Sequence, residues 1–220
     1  MIVTEEMNQF IKGLIPPSEG LLAEMEAYAK EHYVPIARPE AAAFLRTICA
    51  MKRPKRILEA GTAIGYSSIV IAQYLAEDGM IDTVELCEDT AQIAKDNIAK
   101  AGYSHKIHVI VADAADVFQC LEKKYDIVFL DAAKGQYKNM LADAKRVLKV
   151  GGILISDNIL FDGRISEDGF IPHKHRTIVV NMREYLQMLI EDKQKETTLL
   201  TVGDGMTLSV KVAEEGANKT

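Results

Sequence analysis

From Lys55 onward, short apolar runs alternate with longer amphipathic ones. The runs are RILEA (56–60), MIDTVEL (80–86), KIHVIVA (106–112), YDIVFLD (125–131) and GGILISD (151–157). Near-continuous Ile, Val and Leu predicts strands buried on both faces, as in a parallel sheet. Between them, helical periodicity covers about 66–77, 89–101, 114–123, 136–148 and 174–193. Strand–helix alternation at this spacing predicts right-handed βαβ units and a doubly wound α/β fold. KETTLLTVGDGMTLSVKV (195–212) breaks the pattern: two strands joined around Gly203-Asp204-Gly205 add an antiparallel edge. The expected core is a Rossmann-like, mostly parallel sheet of seven strands over 53–214. Ahead of it, residues 1–52 form a helical segment. Thr4 to Leu14 carries an apolar stripe at Met7, Phe10, Ile11 and Leu14. A second helix spans Glu19 to His32, and Pro39 opens a third that runs to about Met51. Tyr33-Val34-Pro35-Ile36 is extended, because Val34 precedes a proline. With no repeat or linker, 1–220 reads as a single domain.

Composition narrows the class. A 220-residue chain with 48% hydrophobic and 26% charged residues suits one globular domain. No apolar run of about 18 residues predicts a membrane span, and MIVTEEMNQF lacks the pattern of a secretory signal. Cys49, Cys87 and Cys120 form no CxxC, which fits a reduced, cytoplasmic protein without a zinc cluster. A net charge of −6 disfavours extended contact with duplex DNA, while a local contact with folded RNA stays open.

The chemistry gathers where the strands end, since ligands of such sheets sit at the carboxyl ends of the strands. The first strand runs into Glu59-Ala60-Gly61-Thr62-Ala63-Ile64-Gly65-Tyr66-Ser67. Gly61 and Gly65 permit a tight turn close to a ligand. The spacing is G-x-x-x-G, which matches neither the dinucleotide fingerprint nor a P-loop. A carboxylate ahead of the glycines repels phosphate and attracts an ammonium. Glu85, ending the second strand, is placed to accept from both hydroxyls of a ribose. Asp113, with Ala114 after the third strand, could accept from an adenine amino group. The glycines alone also fit an ordinary βα turn. Taken together, the five positions Glu59, Gly61, Gly65, Glu85 and Asp113 describe S-adenosylmethionine (SAM).

Asp131 ends the fourth strand and Asp157-Asn158 ends the fifth, so three oxygen donors meet beside that crevice. Two carboxylates and an amide form a hard donor set suited to Mg²⁺, or Mn²⁺ or Ca²⁺. A cation there relieves the repulsion between the acids and can acidify a coordinated hydroxyl. Lys134, three residues past Asp131, could take the proton. The alternative is a solvated lysine at a helix start, a position that the helix dipole disfavours.

EAGTAIGYSS, the acid at Glu85, FLDAAKGQY, SDN and VGDGMTLS resemble the cation-dependent O-methyltransferases related to catechol and caffeoyl-CoA methyltransferases. The resemblance covers the chain from about Val34. It implies that Glu59 lies by the methionine end of SAM, Glu85 by the ribose and Asp113 by the adenine. It also implies that Asp131, Asp157 and Asn158 hold the metal and that Lys134 is catalytic. Val34 and Ile36 match a segment packed on the cofactor; Ser67 matches a residue near its carboxylate. Gly61, Thr62, Gly65, Ala114 and Asp131 complete the cofactor set. Segments such as EHYVPI, DAAKGQY and DNILFDG are similar to bacterial tRNA 5-hydroxyuridine methyltransferases, which act at the wobble position. In 5-hydroxyuridine, O5 and the C4 carbonyl oxygen are adjacent and could chelate one metal as a catechol does. Arg164, Lys174 and Arg176 form a basic cluster expected to overhang the site, and Arg38 adds a further charge. These could hold anticodon-loop phosphates, or form a solvated helix start balanced by Glu167, Asp168 and Glu184. A small catechol-like acceptor is the alternative partner, and the apolar N-terminal helices suggest a homodimer.

Overall fold

The computed structural model describes residues 5–166 and 171–214; Thr4, Glu167 and Asp168 lie outside them. Five strands arise from the five apolar runs: β1 Arg56–Ala60, β2 Met80–Glu85, β3 Ile107–Val111, β4 Tyr125–Leu130 and β5 Leu148–Ser156. The C-terminal pair is β6 Lys195–Leu200 and β7 Met206–Lys211. They form a seven-stranded sheet in the order β3-β2-β1-β4-β5-β7-β6. The first five strands pair in parallel, while β7 pairs antiparallel with both β5 and β6. The expected doubly wound sheet with an antiparallel edge is thus present.

Strand periodicity divides the core. Ile57, Ile127, Phe129 and Ile155 point to one face, against α2 Gly20–His32, α3 Pro39–Lys52, α4 Tyr66–Ala72 and α5 Glu88–Lys100. Their alternates Leu58, Val128, Leu130 and Leu154 point to the other, against α6 Ala114–Cys120, α7 Tyr137–Val147 and α8 His173–Glu191. Two buried faces explain why these strands read as continuous apolar runs. At the opposite edge β6 is more open, with Glu196, Thr198 and Leu199 exposed.

The elements depart from expectation mainly at their ends. α4 stops at Ala72, because the backbone then turns: the Ala76 N–H donates to Pro54 O at 3.0 Å and the Gly79 N–H to Ala76 O at 2.9 Å. β5 begins three residues early, at Leu148. The N-terminal stripe on α1 Glu5–Leu14 stays outside the core, with Met7, Phe10, Ile11 and Leu14 between 45% and 67% exposed.

Sheet order reverses direction between β1 and β4. Neighbouring strands therefore send their following segments to opposite faces, and a crevice opens above those two tips. Gly61 carries the chain over it with φ +99°. A Cβ built there would lie 2.1 Å from the Asp131 carbonyl oxygen. Only glycine lets the β1 turn pass this close to the β4 tip.

Candidate active site

Above the reversal lies a cavity of about 530 Å³. One wall is the turn after β1, with Gly61, Thr62, Ala63 and Ser67. The next is Glu85 at the tip of β2, followed by Asp113 and Ala114 after β3. Asp131 and Lys134 follow β4, while Asp157 and Asn158 follow β5. Ile36, between Pro35 and Ala37, covers the front. Residues scattered over more than a hundred positions converge because a parallel sheet ends all its strands on one side.

The β1 turn is built by local hydrogen bonds. The Gly65 N–H donates to Thr62 O at 2.8 Å, and Gly65 takes φ +86° to start α4. Glu85 accepts from the Ala63 N–H at 2.9 Å and the Cys87 N–H at 3.0 Å. One N–H on each oxygen orients the carboxylate and leaves lone pairs for two hydroxyls. Asp113 caps α6, accepting from the Ala115 N–H at 2.8 Å through Oδ1, which leaves Oδ2 for a ligand.

Three expected cofactor residues sit behind the cavity wall rather than on it. Glu59 is fully buried beneath the turn. Its carboxylate accepts from Ser67 at 2.5 Å, Thr83 at 2.6 Å and also Ser68. Burial pushes its carboxyl above the usual range, with the three hydroxyl donors acting against that shift. Direct contact with an ammonium is replaced by a supporting role: Glu59 fixes Ser67, which does face the cavity. The reason is strand alternation, which aims Glu59 at the α4 side along with Ile57. Val34 packs on the core next to Ile36, and Gly65 shapes the turn from behind.

The strand tips that carry Asp131 and Asp157 are tied together. The Asp157 N–H donates to Leu130 O at 3.0 Å. The buried Tyr137 hydroxyl lies 3.0 Å from Leu130 O and 3.1 Å from Asp157 O. Asn158 adopts φ +55°, and its N–H donates to Asp157 Oδ1 at 2.6 Å. Burial, then the charges of Asp157 and Glu59, hold the Asp131 carboxyl well above its ordinary range against the pull of Lys134. Asp157 is pushed up to about 6, chiefly by burial. The Asn158 N–H and Arg38 act against that rise, while Asp204 adds to it. Two acids crowded out of water favour one proton or one cation between them. Among the described residues, no group of three or more His, Cys, Asp or Glu side chains is disposed to hold a metal. A cation at this cluster would draw on the Asp131 and Asp157 carboxylates and the Asn158 amide, a donor chemistry that fits a hard ion.

Lys134 opens a short 3-10 turn, Lys134–Gln136, and lines the cavity. Its Nζ lies 3.4 Å from Asp204 Oδ2 and 5.0 Å from the centre of the Phe161 ring. Only 24% of the side chain is exposed, so it is no solvated helix-start lysine. Of the basic residues, Arg38 lies outside the cavity and pairs with Asp162 at 3.9 Å. Arg164 stacks on Phe161 at 5.8 Å. Lys174 and Arg176 are exposed in the first turn of α8. None of the four lines the cavity.

A family model described as O-methyltransferase matches residues 18–212. The chain belongs to that O-methyltransferase family. It is a SAM-dependent transferase by membership. Among relatives, it is 31% identical to a caffeoyl-CoA O-methyltransferase of Populus kitakamiensis over 75% of this chain and 73% of that one. A catechol O-methyltransferase of Niastella koreensis is 27% identical over 94% and 97%. The crystal structure of the O-methyltransferase TomG from Streptomyces achromogenes, involved in tomaymycin synthesis and in complex with SAM, is 25% identical, with a TM-score of 0.83 over 94% of this chain and 96% of that one. The family likeness covers the sheet and every residue of the strand-tip cluster. Two residues that brace the cavity from outside its lining escaped the sequence reasoning. Tyr137 reads only as a helix-start aromatic. Asp204 reads as a hairpin turn, although its place between two glycines in VGDGM signals a carboxylate set where two segments approach closely.

Proposed function

We propose that this O-methyltransferase transfers the methyl group of SAM to a hydroxyl flanked by a second oxygen, and that its acceptor is 5-hydroxyuridine at the wobble position of tRNA. The observation that carries the reading is that Asp131, Asp157, Asn158 and Lys134 share one cavity with the glycine turn, Glu85 and Asp113. The exposed Lys174 and Arg176, with Arg164 and Arg38 near the mouth, supply cations for RNA phosphates. The names of the relatives favour a second reading, a small vicinal phenol such as a catechol.

In either case the residues divide the work. Glu85 accepts from ribose hydroxyls, Asp113 takes the base, and Ser67 meets the amino-acid end. SAM supplies the electrophilic methyl, and a divalent cation such as Mg²⁺ supplies Lewis acidity to a hydroxyl. Asp131, Asp157 and Asn158 would hold that cation. Lys134, as the neutral amine, takes the hydroxyl proton at Nζ as the oxygen attacks the methyl carbon; the S–CH₃ bond breaks and its electron pair stays on sulfur. Close alignment supplies much of the rate.

The deciding assay offers SAM and Mg²⁺ with either 5-hydroxyuridine-bearing tRNA or a catechol panel. Formation of 5-methoxyuridine, seen by mass after digestion, is expected. Catechol turnover without tRNA product would select the second reading. Asp131→Ala should abolish transfer while SAM still binds by calorimetry; retained transfer would refute the metal-bound hydroxyl.

A further inference from the structure

We infer that Asp204 is a positioning residue for the reaction: it orients Lys134 and balances the positive charge that Lys134 gains on accepting the hydroxyl proton. The inference rests on the reading of Lys134 as the base. Asp204 sits in the β6–β7 turn, 73 residues beyond Asp131 and 47 beyond Asp157, and is 7% exposed. Its two oxygens have separate tasks. Oδ2 is 3.4 Å from Lys134 Nζ. Oδ1 accepts from the Asp162 N–H at 2.8 Å, holding the loop that follows Asn158.

The backbone around it fits the same purpose. Leu160 N–H donates to Asp204 O at 2.9 Å and Ile159 N–H to Gly205 O at 3.0 Å. Gly205 has φ +81°, and a Cβ there would meet Leu160 at 2.2 Å. The hairpin turn is therefore pressed against the loop, and the loop itself holds Asn158, Phe161 and Asp162 in the left-handed region. Such a conformation persists only where surrounding contacts enforce it. A buried carboxylate is a costly way to brace a loop, since a neutral acceptor would serve the Asp162 N–H equally well. The charge has a use only toward Lys134. When the hydroxyl proton moves to Nζ, the new ammonium forms beside a carboxylate already in place, as an aspartate steadies a histidine that gains a proton.

Three variants test this on whichever of the two acceptors the enzyme turns over: Asp204→Asn, Asp204→Glu, and Asp204→Asn combined with Lys134→Met. The asparagine is isosteric and keeps an oxygen for the Asp162 N–H, so a bracing role predicts near-normal turnover for Asn and worse for the longer Glu. The charge role predicts the reverse order. Asp204→Asn should lower kcat by about 10- to 100-fold, with the SAM dissociation constant within about twofold of wild type, and Asp204→Glu should recover part of the loss. Added to Lys134→Met, Asp204→Asn should cause no further fall, because the two act as one unit. Unchanged kcat in Asp204→Asn, or losses that multiply in the double variant, would overturn the inference while leaving Lys134 as the base. Unchanged kcat in Lys134→Met would overturn both. Thermal unfolding of each variant separates lost turnover from lost fold.

Discussion

Gly61 has no space for a side chain: its φ of +99° and the 2.1 Å approach to Asp131 O exclude even a methyl group. Gly61→Ala should destabilise the protein by more than about 2 kcal/mol and weaken SAM binding, read by thermal unfolding and calorimetry. A normal melting profile would show that the two tips can separate freely. The positions around this turn were legible in the sequence because a parallel sheet brings the residues after each strand together. What sequence reasoning misplaced was Glu59, and alternation explains it. A residue two before the turn must face the α4 helix, so its carboxylate meets Ser67 and Ser68 instead of the crevice. Tyr137 and Asp204 were hidden for another reason: each acts through a tertiary partner with no fixed spacing in the chain.

At the level of elements, four of seven strands, β1 to β4, could be placed to within a residue by their apolar runs, whereas the end of α4 and the start of β5 depend on long-range backbone pairing. The entry to β1 is secured by Asp126 on β4. It accepts from the Lys55 and Arg56 N–H groups at 2.9 and 2.8 Å and from Lys149 at 2.8 Å. Partial burial pushes its carboxyl up, but Lys149 and the two amides outweigh this and hold it below the usual range. A depressed folded value means the ionised form stabilises the fold above the unfolded pKa of about 3.9. That stabilisation disappears as pH falls through the folded value. Asp126→Asn should therefore cost about 1 to 2 kcal/mol at pH 7, and wild type and variant should converge near pH 2 to 3 in urea unfolding. A difference that persists undiminished into acid would assign the effect to packing.

For the whole molecule, the two acceptor readings differ in their response to salt. If Lys174, Arg176, Arg164 and Arg38 hold phosphates, raising salt from about 50 to 200 mM should increase KM for tRNA steeply. Turnover of a free catechol should barely change. Equal salt dependence would remove the basic rim from the mechanism. The outward-facing Phe10 and Leu14, 63% and 67% exposed, lead us to propose a two-fold homodimer through α1. Light scattering should give twice the chain mass, and Phe10→Glu should give a monomer; a monomeric wild type would dismiss it. β7, inserted between β5 and β6, also sets an order of assembly. Until the ribosome has released this late hairpin, β5 presents a bare edge to other chains. The growing protein is then open to mispairing along β5, and the turn that carries Asp204 to Lys134 arrives with the strand that seals that edge.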